Sequence, residues 1–235
     1  MATREPSASF RSLPSATRNA TLAYVLPFLV FVVLLEVEHA IALPAQVFYP
    51  VRFLAVSLTL LLVSRRYISL GTSFPVASIG IGVLVFLLWV APDALFGYRH
   101  HWLFQNFVTG AAESTILPEM RRSAVFTTLR VLTSVILVPI LEELFWRGWL
   151  MRWLIDTNFL KVAPGKYAPM AFWAVAILFA SEHGAYWEVG LGAGIIYNWW
   201  MVRSRNLADC MLAHAVTNAL LAAYVLIGDH WQYWL

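Results

Sequence analysis

The chain has 235 residues, 60% of them hydrophobic and only 12% charged, with a mean hydropathy of +0.70. This composition excludes an ordinary water-soluble domain. The net charge of +3 is spread over the ends of apolar blocks rather than gathered in a patch, which excludes nucleic acid as a partner. A single cysteine, Cys210, excludes an internal disulfide.

Residues 1–20 carry Arg4, Arg11 and Arg18 among serines and prolines and read as a disordered cytoplasmic tail. Residues 21–235 read as a single transmembrane helical domain. Its apolar blocks are about 20 residues long, as a ~30 Å hydrocarbon core requires. They predict an all-α, polytopic membrane helix bundle of about seven spans, with six to eight as the range. Span 1 runs Thr21–Leu43, span 2 Val47–Val63 and span 3 Pro75–Phe96. Glu36, Glu38 and His39 lie near the end of span 1 and read as solvated at an interface. Gly97–Arg122 reads as an outer loop with an interfacial helix.

Span 4 covers Ser123–Leu154, span 5 Ala168–Trp187, span 6 Val189–Val202 and span 7 Leu207–Ile227. Arg65, Arg66, Arg152, Lys161, Lys166, Arg203 and Arg205 fall on one side of this arrangement, which places the N-terminus inside and the C-terminus outside. Arg121 and Arg122 oppose it. Span 6 holds Gly190-x-x-x-Gly194, a spacing that permits close helix packing. The localisation that follows is an integral, multi-pass membrane protein, in the plasma (inner) membrane if the source is bacterial.

Span 4 contains Pro139-Ile-Leu-Glu142-Glu143-Leu-Phe-Trp-Arg147. An ionised group in hydrocarbon costs roughly 2.5–3.5 kcal/mol even on the mild insertion scale, so charges in mid-span call for a functional explanation. Glu143 and Arg147 are i,i+4 neighbours able to pair. Glu142 points about 100° away, free for chemistry. Phe179 and His183 share one face of span 5, and His214 and Asn218 one face of span 7. Each has a plainer reading: a structural ion pair for Glu143–Arg147, a packing histidine, and interhelical hydrogen bonding for His214–Asn218. Together, a shielded glutamate, two imidazoles and an amide are the parts needed to activate a water and hold an oxyanion. Depth is a tension: His183 lies about 22 Å from the inner end of span 5, but His214 only about 10 Å from that of span 7. Glu142 lies about 12 Å from the end of span 4 if that stops at Leu150.

Glu142-Glu143-x-x-x-Arg147, Phe179-x-x-x-His183 and His214-x-x-x-Asn218 resemble, in order and content, the three motifs of the CAAX-protease and bacteriocin-processing family of intramembrane proteases, also called the Abi or Rce1-like family. The resemblance covers about residues 123–227. The length also suits a CAAX-protease-related bacterial branch that accompanies exosortase/PEP-CTERM protein sorting. The resemblance implies a hydrolase acting at or near the membrane surface on a peptide or protein substrate that is lipidated or membrane-anchored, among membrane lipids. It implies Glu142 as the base that activates water, with His183 assisting. Glu143, Arg147 and Phe179 would support the site, and His214 and Asn218 would stabilise the oxyanion. The expectation is that no cofactor is required. Zinc is the alternative, held by Glu142, His183 and His214, although no His-Glu-x-x-His pair is present. The competing function is a non-catalytic immunity or sorting partner that keeps the same pocket.

Overall fold

The computed structural model describes residues 14–41, 45–111, 113, 114 and 116–234. Every predicted apolar block is a helix. They are α1 (Ser15–Ile41), α2 (Ala45–Thr59), which runs on through a π turn at Leu60–Ser64, and α3 (Pro75–Phe96). Next come α4 (Ala124–Trp153), α5 (Pro169–Ser181), α6 (Trp187–Ser204) and α7 (Leu207–Gly228). Among the described residues there is no strand, only one isolated bridge between Asn106 and Gly110.

The differences from the sequence reading lie at the ends. Helix α1 begins at Ser15, inside the segment read as a disordered tail, because Thr17 is buried and hydrogen-bonds Asn158 Oδ1 at 2.7 Å. Residues 1–13 of that tail lie outside the described residues, as does the side chain of His39. Glu38 is not simply solvated: it pairs with Arg52 at 2.8 Å. The expected interfacial helix reduces to the four residues Pro118–Arg121.

Of the seven predicted spans, α1, α2, α3, α4 and α7 are long and apolar enough to cross a membrane. This is a multi-pass membrane protein. Helix α5 has 13 residues, about 20 Å, short of a ~30 Å core. It stops at Ser181, and the chain turns through Gly184, whose φ of +51° is one that glycine adopts without strain.

That turn is covered by the segment that follows α3. Arg99 reaches Glu188 at 2.6 Å and Asp93 at 3.5 Å, and donates from Nη1 to the Ala185 carbonyl. Tyr98 donates its hydroxyl to Glu188 at 2.9 Å. Burial, with that hydrogen bond to Glu188, pushes the Tyr98 phenol up to about 12, so it stays a donor at any physiological pH. Tyr186 Oη donates to the Gln232 carbonyl, which ties the C-terminal segment into the same cap.

Helices α5 and α6 pack closely, and Gly194 makes this possible. A Cβ there would lie 3.1 Å from the Ala176 carbonyl, so the expected small-residue contact is real. A tighter approach joins α3 to α7: a Cβ on Gly82 would sit 2.5 Å from the Ala213 carbonyl. No side-chain rotation relieves a clash with backbone, so Gly82→Ala should destabilise the protein by about 1–3 kcal/mol. Thermal unfolding in detergent should record a midpoint several degrees lower.

Candidate active site

Pro139 shapes the middle of α4. It has no N–H to give to the preceding turn, and the helix widens into π turns at Thr133–Leu137 and Leu144–Leu150. In a π turn the carbonyl of Ser134 would look to residue 139, which has nothing to donate. Asn218 of α7 supplies the missing donor, Nδ2 to Ser134 O at 2.7 Å. π turns are rare and cluster at functional sites; here two of them flank the glutamate pair.

The predicted Glu143–Arg147 pair is present, 3.1 Å apart, with both side chains completely buried. The guanidinium is matched in several directions. Nε donates to Asn198 Oδ1 at 2.9 Å, Nη2 reaches the Gly194 carbonyl, and the Phe179 ring lies 4.5 Å from Cζ. Asn198 donates in turn to the Phe172 carbonyl. The same Glu143 Oε1 lies 3.0 Å from His214 Nδ1, so one oxygen joins α4 to α7 and, through Arg147, to α6.

Glu142 faces elsewhere. Its Oε2 is buried without a hydrogen-bond partner, and it lines a cavity of about 160 Å³ together with Phe179, His183, His214 and Asn218. The four side chains expected to carry chemistry therefore meet at one place. The depth tension is resolved by two features. Helix α4 continues to Trp153, so Glu142 is about 16 Å from its C-terminal end. The His183 ring folds back, with Nδ1 2.7 Å from the Phe179 carbonyl, and Phe179 lies about 15 Å from the start of α5.

Partner chemistry fixes both imidazoles. A carbonyl only accepts, so His183 carries its proton on Nδ1 and presents the Nε2 lone pair. A carboxylate likewise only accepts, so His214 gives Nδ1–H to Glu143. The His183 ring is held by Phe179 and the edge of Trp89, with centroids 4.7 and 5.3 Å away. A Cβ on Gly190 would come within 3.1 Å of it. The His214 ring stacks on Tyr197 at 5.1 Å, and Tyr197 Oη donates to Thr217 at 2.7 Å.

Sequence reasoning missed Asn198, Tyr197, Trp89 and the Ser134 carbonyl. Asn198 alone carried a signal, as a carboxamide inside Ile-Ile-Tyr-Asn-Trp-Trp. Glu182 was also missed; its Oε1 accepts from Trp146 Nε1 at 3.0 Å. For zinc the fit is poor. Among the described residues no group of three or more His, Cys, Asp or Glu is arranged to hold a metal ion, so Glu142, His183 and His214 border the cavity without forming a ligand set. Removing the guanidinium strands a buried carboxylate, which costs about 3–5 kcal/mol. Arg147→Met should therefore lose that much stability, read as a lower unfolding midpoint and faster proteolysis in detergent.

Residues 124–220 match the family model described as type II CAAX prenyl endopeptidase Rce1-like. No curated protein and no solved structure matches the chain. The matched segment begins at the first residue of α4 and ends two residues past Asn218, so all three motifs lie inside it. Over residues 124–220 the chain is thus similar to the Rce1-like family of type II CAAX prenyl endopeptidases.

Proposed function

We propose that the protein is an endopeptidase that hydrolyses a peptide bond of a membrane-anchored or lipidated substrate, using a water activated between Glu142 and His183. The observation that carries this reading is the shared cavity, in which a carboxylate, two imidazoles and an amide from three helical segments line about 160 Å³. The family is one of proteases; the steps below are assigned from chemistry.

Glu142 takes a proton from the water as the water oxygen attacks the carbonyl carbon. The Nε2 lone pair of His183 accepts the second water proton in a hydrogen bond and orients the nucleophile. The carbonyl oxygen becomes an oxyanion facing Asn218, which has one amide N–H left after serving Ser134. His214 faces the same oxyanion. Its Nδ1–H is committed to Glu143, so Nε2 can donate only when the ring is an imidazolium. On collapse of the tetrahedral intermediate the C–N bond breaks, and Glu142 returns its proton to the leaving nitrogen. In a bacterium this chemistry would take place in the inner membrane.

Glu142→Gln and His183→Ala should each lower kcat for peptide cleavage by purified protein in detergent by roughly 10²–10⁴-fold, with helicity unchanged by circular dichroism. Full turnover in either variant would remove its assigned role, and a well-folded wild type that cleaves nothing would favour a non-catalytic binding protein. Treatment with a strong chelator should leave the rate unchanged. Complete loss with recovery on adding zinc would replace the metal-free mechanism.

A further inference from the structure

A cavity of about 340 Å³ lies at the end of the bundle where α4 and α6 stop and α7 begins. Arg152 of α4 and Arg205, between α6 and α7, line it together with Tyr24, Ser73, Asn206 and Leu207. It shares no lining residue with the cavity at Glu142. Among the described residues the buried arginines are Arg52, Arg99, Arg147 and Arg152. The first three each pair with a carboxylate, of Glu38, Glu188 and Glu143 respectively. Arg152 does not. Its Nε and Nη1 donate to the carbonyls of Val162 at 2.8 Å and Gly148 at 3.1 Å. The Phe159 ring lies 5.0 Å from its Cζ, and the Tyr24 phenol stands beside it. Every one of these partners is neutral, and a cation buried without an opposing charge is costly.

Arg205 brings a second cation to the same space at a cost of its own. Its φ is +55°, the conformation that glycine ordinarily supplies just past a helix end, and its N–H closes α6 on the Met201 carbonyl at 2.9 Å. An arginine held in that strained conformation points to a use for its side chain. The loop after α4 presses on its stem: a Cβ on Gly165 would lie 2.9 Å from Arg205 Cγ. Among the described residues no carboxylate pairs with Arg205 either. Leu207 and Ala208, at the positive end of the α7 dipole, border the cavity as well. Asp209, in the first turn of α7, does not line it; its Oδ1 accepts the Ser73 and Phe74 N–H groups at 3.0 Å.

We propose that this cavity binds the phosphate of an anionic phospholipid headgroup, with Arg152 and Arg205 as its charged contacts. Guanidinium groups match phosphate oxygens in charge and in planar donor geometry. A lipid is the source because the cavity lies at the ends of membrane-crossing helices, the level at which headgroups sit. The connections around it also carry Arg65, Arg66, Lys161, Lys166 and Arg203, against Asp156 and Asp209, and basic segments beside a span are drawn to an anionic leaflet. The bound headgroup joins α4, which holds Glu143, to α7, which holds His214, so it favours the assembled bundle over the unfolded chain. The site is independent of the chemistry at Glu142.

The full chain, purified in a non-ionic detergent, is unfolded thermally with increasing dihexanoyl phosphatidylglycerol, dihexanoyl phosphatidylcholine or inorganic phosphate. Phosphatidylglycerol should raise the midpoint saturably by several degrees; the other two, at the same concentrations, should not. Arg205→Gly suits the positive φ and keeps the fold. It should raise the phosphatidylglycerol concentration needed for half the shift about tenfold. Arg152→Gln should abolish the shift, and if that variant does not fold, Arg205→Gly decides. A response to phosphatidylcholine equal to that for phosphatidylglycerol overturns the site, as does an Arg205→Gly titration superimposable on the wild type. Inorganic phosphate acting as strongly as the lipid overturns the lipid assignment in favour of a free phosphate ion.

Discussion

A single carboxylate oxygen holds the site together. Glu143 Oε1 receives Arg147 from its own helix and His214 from α7, and Arg147 carries the connection on to Asn198 and Gly194 of α6. A charge at this depth is tolerable only when its partners are supplied by protein. The helices that bear the motifs are therefore obliged to meet, and Glu142, next in sequence but turned aside, is delivered to the space between them.

Much of this was legible in the letters. Apolar blocks of membrane-crossing length give α1 to α4 and α7 because backbone groups in lipid must be satisfied within the helix. The i,i+4 spacing puts Glu143 beside Arg147 because helical geometry is local. What was not legible is non-local or subtle. Composition carries an apolar block past Ser181, whereas the turn at Glu182–Gly184 depends on the loop and tail packed over it. Asn198 and Tyr197 matter through contacts with residues 51 and 17 positions away, Arg147 and His214, which no periodicity encodes. The widening of α4 follows from Pro139, but its consequence needs the position of α7.

Residues 124–220, which match the family model, carry the motif side chains without enclosing them. Trp89 and Val85 of α3 form part of the cavity wall, and α3 reaches α7 only because Gly82 has no side chain. The loop after α3 clamps the α5–α6 turn through Arg99 and Tyr98. The N-terminal half of the chain carries no motif, yet it sets the shape of the space in which the motif side chains work.

Asn218 stands in for a missing piece of main chain. Its amide replaces the N–H that Pro139 cannot offer, so the orientation of the group that would meet the substrate is inherited from a gap in the helix carrying the glutamates. Proline and asparagine, 79 positions apart in the sequence, are in effect one structural unit: restoring an ordinary residue at 139 would satisfy the Ser134 carbonyl from within α4 and set the carboxamide loose.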